Sequence, residues 1–447
     1  MKAVVLGDIG WKELYHLGDE AMTEVAVSEL QERGFEPTLV AGDPDVSAKM
    51  YDVPAVGRVG FWSKEDRSQH KKRLGRLGKV LDGPEGDYTD IVKAVRSADL
   101  TIIAGGGNLN DQLPSHVYER LAFKRIAEKF SKPLVVSSQT VGPNLSGEMR
   151  DAVIEIADYA RVFGCRDASS VGLVRSLVKD RHRVYRQVDD AAVLVPTSDE
   201  SREARELLAD YTDDGPFAVA AFTSHVGTSD FSKTEYVHAL ADICRQVSER
   251  CGVNVLLTPH VGSFTRGNER DDQVVHANIE KLAQGPKSRV YSLPTLKAGV
   301  AVALTRMASL SFSTRYHPAV FALAAGVPHV GLIQSYYSSV KVRGALSNYG
   351  LSCYGVPFIS KADMVSAIVS CFERSRTVSN MAKAGQEYHA NFQEKWWDFI
   401  CSNVERGADS SYLPAFSCQQ EYAISEEWSV RVEGQLPLFE SLSVARR

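Results

Sequence analysis

The sequence predicts an α/β protein made of two Rossmann-like, doubly wound domains facing across a cleft. Three observations lead to that class. Short continuous apolar runs alternate with segments of helical period almost from end to end, as in a parallel sheet buried on both faces. One polar stretch, 197–216, breaks the rhythm, and the same alternation then starts afresh. At 447 residues, the chain is too long for one hydrophobic core.

In the first half, strands are expected at 3–6, 38–41, 100–104, 134–138 and 161–164. Helical segments fall between them. In 21–31, Met22, Val25, Ala26 and Leu30 share one face, with Gly34 past the end; 118–130 is another. Ser198-Asp199-Glu200-Ser201 and Asp213-Asp214-Gly215-Pro216 mark a linker containing a short helix. The second series has strands at 217–222, 253–257, 289–291, 308–312 and 330–333, with helices at 234–251 and 296–306. A helical run at 381–405 carries Trp396 and Trp397, which need a surface to bury them. The domain plan is therefore 1–196, a linker at 197–216, 217–375, and a helical segment and tail at 376–447 that packs back on the first domain.

Composition narrows the function classes. Apolar residues make up 44% and charged residues 24%, ordinary for a globular protein, and a net charge of -5 gives no support for nucleic-acid binding. The basic run His70-Lys71-Lys72-Arg73, with Arg76 and Lys79, reads as a solvated helix face or a mobile loop, with weak attraction to an anionic acceptor as the lesser alternative. The seven cysteines are scattered without a CxxC pair, so neither a zinc site nor a disulfide framework is expected. No signal-peptide organisation and no membrane-spanning apolar run is visible. A cytoplasmic location is expected, with the inner membrane face left open.

The most informative motif is Ser313-Thr314-Arg315-Tyr316-His317-Pro318, between the strand at 308–312 and an apolar helical run. Arg315 offers a fixed fork for phosphate or carboxylate, His317 can carry a proton, and a helix N-terminus attracts anions. Such a turn fits a phosphorylated acid. It also fits an ordinary βα turn with Thr314 as cap.

Near the start, Gly18-Asp19-Glu20-Ala21 opens a helix, with Asp19 as N-cap and Glu20 in the first turn. Either is a plain cap or a carboxylate for sugar hydroxyls or proton transfer. The preceding loop holds Trp11, Tyr15 and His16, suited to stacking on a sugar. Gly105-Gly106-Gly107 ends a strand and allows close backbone approach, without a dinucleotide or Walker fingerprint. Gln139 and Arg166 sit at two further strand ends, Arg166 next to Asp167, which caps a helix. Asp189 and Asp190 lie near the domain junction. In the second half His260 ends a strand, Asp271-Asp272 opens a helix as a simple cap, and Lys341 follows the last strand. Adjacent aspartates alone do not make a metal site, and none is expected.

In this order the pieces resemble the polysaccharide pyruvyl transferase family. The resemblance rests on Gly18 to Ala21, Gly105 to Gly107, Gln139 to Pro143, Arg166-Asp167 with Ser170, Val188-Asp189, Arg315-Tyr316-His317 with Phe321-Ala322, Gly326 to Pro328, and Lys341. Leu17 stands where the family often has Asn. The resemblance implies a GT-B-like architecture. It implies transfer of pyruvate from phosphoenolpyruvate, with no cofactor, onto a sugar diol as a cyclic ketal. Donor contacts would fall to Arg315, His317, Arg166 and Lys341. The catalytic candidates are His317, Arg315 and Asp19, with His317 as acid or base and Asp19 or Glu20 as a second proton acceptor. Gly18, Glu20, Gly105, Gly106, Gly107, Gln139 and His260 would line the substrate. The acceptor would be a saccharide or lipid-linked saccharide, with peripheral membrane contact and oligomer formation left open. A GT-B nucleotide-sugar glycosyltransferase and a non-catalytic sugar-binding protein are the alternatives.

Overall fold

The computed structural model describes residues 1–11, 13–212, 215–227, 231–406 and 413–445. Asp213 and Asp214 of the polar stretch, and 407–412 of the tail, lie outside them. Two compact units result. The first comprises Met1–Lys12, Asp19–Asp190 and Asn391–Phe416; the second comprises Glu13–Gly18, Ala191–Ala390 and Ser417–Arg447.

The sheet of the first unit contains β1 (Lys2–Leu6), β3 (Glu36–Ala41), β4 (Ala55–Gly57), β5 (Leu100–Ile103), β6 (Gly106–Leu109), β7 (Leu134–Val141), β8 (Val162–Cys165) and β9 (Val184–Arg186). Its order is β4-β3-β1-β5-β7-β8-β9, all parallel, with β6 paired to β7. The strands are apolar on both faces because α1 (Leu17–Glu32), α2 (Pro44–Tyr51), α3 (Arg67–Asp82), α4 (Asp90–Ser97), α5 (Pro114–Lys129), α6 (Gly147–Tyr159) and α7 (Ala168–Leu177) connect them. One core cluster runs from Val4 and Leu6 through Ile103, Phe123 and Val136 to Phe163.

Three expectations need correction here. Gly106 and Gly107 do not form a turn but begin β6. Strand β7 does not stop at Ser138. That residue takes φ 51°, the pairing register shifts between Val136 and Gln139, and pairing then resumes to Val141; Gln139 thus lies on the strand rather than past it. Helix α1 starts at Leu17, two residues before Asp19, so Asp19 sits in the first turn and is not its N-cap.

The second unit has a sheet of order β13-β11-β10-β14-β15-β16, again parallel. Its strands are β10 (Phe217–Ala221), β11 (Asn254–Leu257), β13 (Val290–Ser292), β14 (Leu310–Ser313), β15 (His329–Ile333) and β16 (Gly355–Pro357). Helices α8 (Ser198–Ala209), α9 (Lys233–Cys251), α10 (Asp272–Leu282), α11 (Ala298–Met307), α12 (His317–Ala324), α13 (Tyr336–Asn348), α14 (Lys361–Glu373) and α16 (Glu427–Ala445) surround it. Thr197 and Glu200 form a reciprocal cap on α8, which packs on α11. A separate two-stranded ribbon pairs β2 (Tyr15–His16) antiparallel to β12 (Val261–Gly262). Thus 13–18, early in the chain, belongs to the second unit. Leu17 N–H donates to the His260 carbonyl at 2.9 Å, and Ala298 N–H to the Tyr15 hydroxyl at 3.0 Å.

Helix α15 (Ser375–Arg406) brings residues from Asn391 onward into the first unit. There Trp396 and Trp397 are fully buried, and the Trp396 indole N–H donates to Ser137 Oγ at 3.2 Å. Gln393 donates to Asp190, which also accepts from Ser137 and Gln187. Burial, then the neighbouring Asp189 charge, pushes the Asp190 carboxyl well above the usual range. All seven cysteines are free, and no described helix is long and apolar enough to cross a membrane.

Candidate active site

In a doubly wound sheet, ligands gather beyond the carboxyl ends of the strands where the strand order reverses. In the second unit that point lies between β10 and β14. The chain leaves β14 through Thr314 and Arg315 and enters α12 at His317. Thr314 is not the helix cap. It is buried, and its hydroxyl accepts from Thr223 N–H at 3.0 Å, tying the ends of β10 and β14 together. The residue ahead of α12 is Tyr316, whose side chain makes no capping bond, and Pro318 occupies the first turn.

Arg315 meets a partner 43 residues away. Its Nε donates to Asp272 Oδ2 at 3.0 Å and its Nη2 to Oδ1, a two-pronged pair. Asp272 has no exposed surface and also accepts from the N–H groups of His260 (3.1 Å) and Val261 (3.0 Å). Burial pushes its pKa upward. The Arg315 charge and hydrogen bonds, with His276 and His260 behind them, outweigh that and hold the carboxyl below its usual range. Asp272 is therefore not the plain helix cap expected. It fixes the guanidinium and the His260 loop together, leaving the Arg315 side chain 23% exposed.

Three aromatic rings complete the cluster. His260 stacks on Phe321 with centroids 5.9 Å apart, and His317 lies 6.1 Å from the same ring. Burial, then the nearby His317, keeps the His260 pKa well below its ordinary value, so His260 is neutral. His276, on α10, is also held neutral by burial, with its pKa lowered to about 4. Gly18 is where the His317 ring needs room. A Cβ there would fall 1.7 Å from Nδ1, so only glycine admits the imidazole. Lys341 on α13 lies 4.1 Å from the Tyr337 ring centroid and 5.8 Å from that of Tyr316, the residue between Arg315 and His317. Tyr236 bonds the Thr223 carbonyl at 3.1 Å and lines a cavity of about 760 Å³ with Ser224, His225, Lys233 and Lys281.

A family model for polysaccharide pyruvyl transferases matches residues 16–336. The chain belongs to the polysaccharide pyruvyl transferase family. It is accordingly a transferase. The matched region of this pyruvyl transferase runs from β2 to the start of α13. Solved structures share the fold at low identity. A Listeria monocytogenes protein assigned as a UDP-N-acetylglucosamine 2-epimerase aligns with TM-score 0.57 and 12% identity, covering 95% of this chain and 99% of that one. The Neisseria meningitidis UDP-GlcNAc 2-epimerase, bound to UDP-GlcNAc, gives 0.56 and 11% over 90% and 100%. Anabaena HepE, in complex with UDP, gives 0.52 and 14% over 90% and 98%. A comparison with curated proteins finds no match. These GT-B-like neighbours agree with two Rossmann-like units in the pyruvyl transferase.

In the first unit of the pyruvyl transferase, the remaining sequence candidates have other immediate partners. Arg166 is 2% exposed. Its Nη1 donates to Asp189 at 2.6 Å and its Nε to Thr140 at 2.9 Å, so its carboxylate partner is Asp189, not the adjacent Asp167. Asp167 caps α7 through Ser170 N–H. Glu20 is buried and accepts from Gly10 N–H and the Tyr51 hydroxyl. Gln139 Nε2 donates to the Ala104 carbonyl at 2.5 Å. At Gly105, the group that comes close is Met22 Sδ, where an added Cβ would overlap it. Among the described residues, no three His, Cys, Asp or Glu side chains converge as a metal site.

The first unit also holds a cluster that sequence reasoning missed. Its strand order reverses between β1 and β5. Just beyond β1, Asp8 accepts from Arg58 Nη1 at 2.9 Å and Asn108 Nδ2 at 3.1 Å, with His116 Nδ1 at 3.1 Å. Burial would raise the Asp8 pKa, but His116 and Arg58 hold it well below the usual range. One signal was available: Asp8 is a lone charge directly after the apolar run Val4-Val5-Leu6-Gly7.

Proposed function

We propose that this transferase moves pyruvate from phosphoenolpyruvate to two hydroxyls of a saccharide, giving a cyclic ketal and free phosphate. The observation that carries the reading is the Arg315–Asp272 pair beside His317 and His260, ahead of the uncapped α12. A guanidinium locked by a buried carboxylate keeps one face for a carboxylate or phosphate, and the first N–H groups of α12 add to it. Lys341 supplies further positive charge.

The chemistry then follows in order. A proton is delivered to the methylene carbon of the donor, which becomes a methyl group. The central carbon gains positive character, and one saccharide hydroxyl attacks it while losing its proton to a base. The bond to phosphate breaks, with the electron pair leaving on phosphate oxygen. The second hydroxyl closes the ring and its proton leaves. One hydroxyl proton is balanced by the new methyl hydrogen, and the other ends on phosphate. In this proposal His317 is the acid and base nearest the donor. His260, held neutral, shapes its electrostatics, and Asp19, next after Gly18 in the chain, is a second proton acceptor. Arg166, already engaged by Asp189, braces strand ends in the first unit.

The test is phosphate release from phosphoenolpyruvate against a panel of saccharides, with mass spectrometry of the product. A mass gain of one pyruvate less one water supports ketal formation. Turnover of UDP-glucose instead, the kind of donor a GT-B glycosyltransferase uses, would replace this reading.

A further inference from the structure

The Asp8 cluster holds one guanidinium too many. Two arginines, Arg58 and Arg120, and His116 act on the Asp8 carboxylate, which already takes Arg58, His116 and Asn108. Two further acids, Asp19 and then Glu119, act on Arg120 through their charge, and Glu119 is committed to the backbone N–H groups of Val59, Gly60 and Phe61 at 2.8–3.0 Å. Arg120 is 1% exposed. Its Nη1 donates to the His116 carbonyl one turn back at 3.2 Å, which bends the guanidinium toward the start of α5. Its Nε and Nη2 have no partner, nor does Nε of Arg58. Buried charged donors left unbonded are costly and need a reason.

Nε and Nη2 form one edge of the guanidinium, the edge that receives two oxygens of a carboxylate or phosphate in parallel. Leu113, ahead of α5, makes no side-chain cap, so the helix end adds its own attraction for an anion. The cluster also lies at the strand reversal between β1 and β5, where such sheets take ligands.

We propose that the first unit carries an oxyanion subsite, built by Arg120 with Arg58 and His116, that recognises an acidic group on the acceptor saccharide. The inference rests on the pyruvyl-transfer reading for calling its ligand the acceptor. The acidic group is a uronate carboxylate or a sugar phosphate; both present the same pair of oxygens. Trp11 lies over Arg58 at 4.5 Å, with its ring 6.3 Å from that of His116.

Calorimetric titration of the full chain without phosphoenolpyruvate tests this, with glucuronate, glucose 1-phosphate and glucose as probes. At least one charged probe should bind about tenfold or more tighter than glucose, and which one does names the source. Arg120→Lys keeps the charge and loses the edge, so it should remove that advantage. Arg315→Met should keep it. The proposal is overturned if neither charged probe outbinds glucose, if Arg120→Lys binds like wild type, or if only Arg315→Met loses the advantage. Should Arg120→Lys fail to fold, His116→Gln is titrated instead. A loss of roughly threefold or more supports the subsite, and unchanged binding overturns it. Because no titration contains the donor, failure of pyruvyl transfer would sink the functional reading and leave this result standing on its own.

Discussion

Replacing Gly18 with alanine adds one methyl group where the structure has an imidazole. The new Cβ would lie 1.7 Å from His317 Nδ1. To restore an ordinary carbon contact, the ring must retreat by about 1.7 Å. Tyr316 at 5.0 Å and Phe321 at 6.1 Å flank it, so it cannot leave without disturbing its neighbours. Overpacking of this kind costs about 1–3 kcal/mol, while alanine in place of glycine inside α1 returns up to about 1 kcal/mol. The net loss is at most about 3 kcal/mol, and the protein stays folded. A displaced catalytic group is punished harder: misplacement on the order of 1 Å can lower the rate about 10²-fold. The expected outcome is a fall in kcat/KM of roughly 10²-fold or more with a melting temperature only a few degrees lower. Phosphate release from phosphoenolpyruvate with a saccharide acceptor, beside a circular dichroism melt, reads both. A variant within roughly threefold of wild-type kcat/KM would refute the placement of His317 as the reacting group.

Other outcomes follow from the same geometry. His317→Ala should lower turnover by about 10²–10⁴-fold. Arg315→Lys, which keeps the charge but loses the two-pronged pair with Asp272, should mainly raise KM for the donor; wild-type KM in a steady-state assay would reject it. Stability should decline in acid. His276 has its folded pKa lowered to about 4, so its contribution is present above the unfolded value near 6.5 and lost as pH falls toward 4. That is on the order of 3 kcal/mol, and denaturant midpoints for wild type against His276→Gln at pH 7 and pH 5 measure it. Asp190 behaves oppositely. Its folded pKa is raised, so its contribution is complete below about 4 and disappears as pH rises through the folded value. Asp190→Asn should therefore melt above wild type at pH 8.5, by about 2–4 °C for roughly 1 kcal/mol, and an equal or lower melt would reject a raised carboxyl pKa there.

The strands were legible because both faces of each sheet are covered, and continuous apolar runs such as 134–136 and 217–222 have no other ready use. Helix starts were read less well. Asp19 has the chemistry of a cap, but pairing of Tyr15 and His16 with Val261 and Gly262 leads Leu17 into α1 early. The turn at Arg315 and His317 stood out locally, since both lie on one short motif. Its anchor, Asp272, did not: 43 residues separate the partners, and an aspartate opening a helix looks like a cap. Asp8, Arg58, His116 and Arg120 were illegible for the same reason. Nothing in their spacing relates them; only the parallel order of β1, β4 and β5 brings the ends of those strands and the start of α5 together.

The ribbon of Tyr15 and His16 on Val261 and Gly262 has a practical outcome for anyone dissecting the molecule. A fragment beginning at residue 191 would present a raw strand edge at Val261, a His260 carbonyl without its donor, and an imidazole bare on the side that Gly18 covers. The back half cannot be made whole by a cut ahead of residue 191. It needs a six-residue piece from the front, supplied in trans or stitched on.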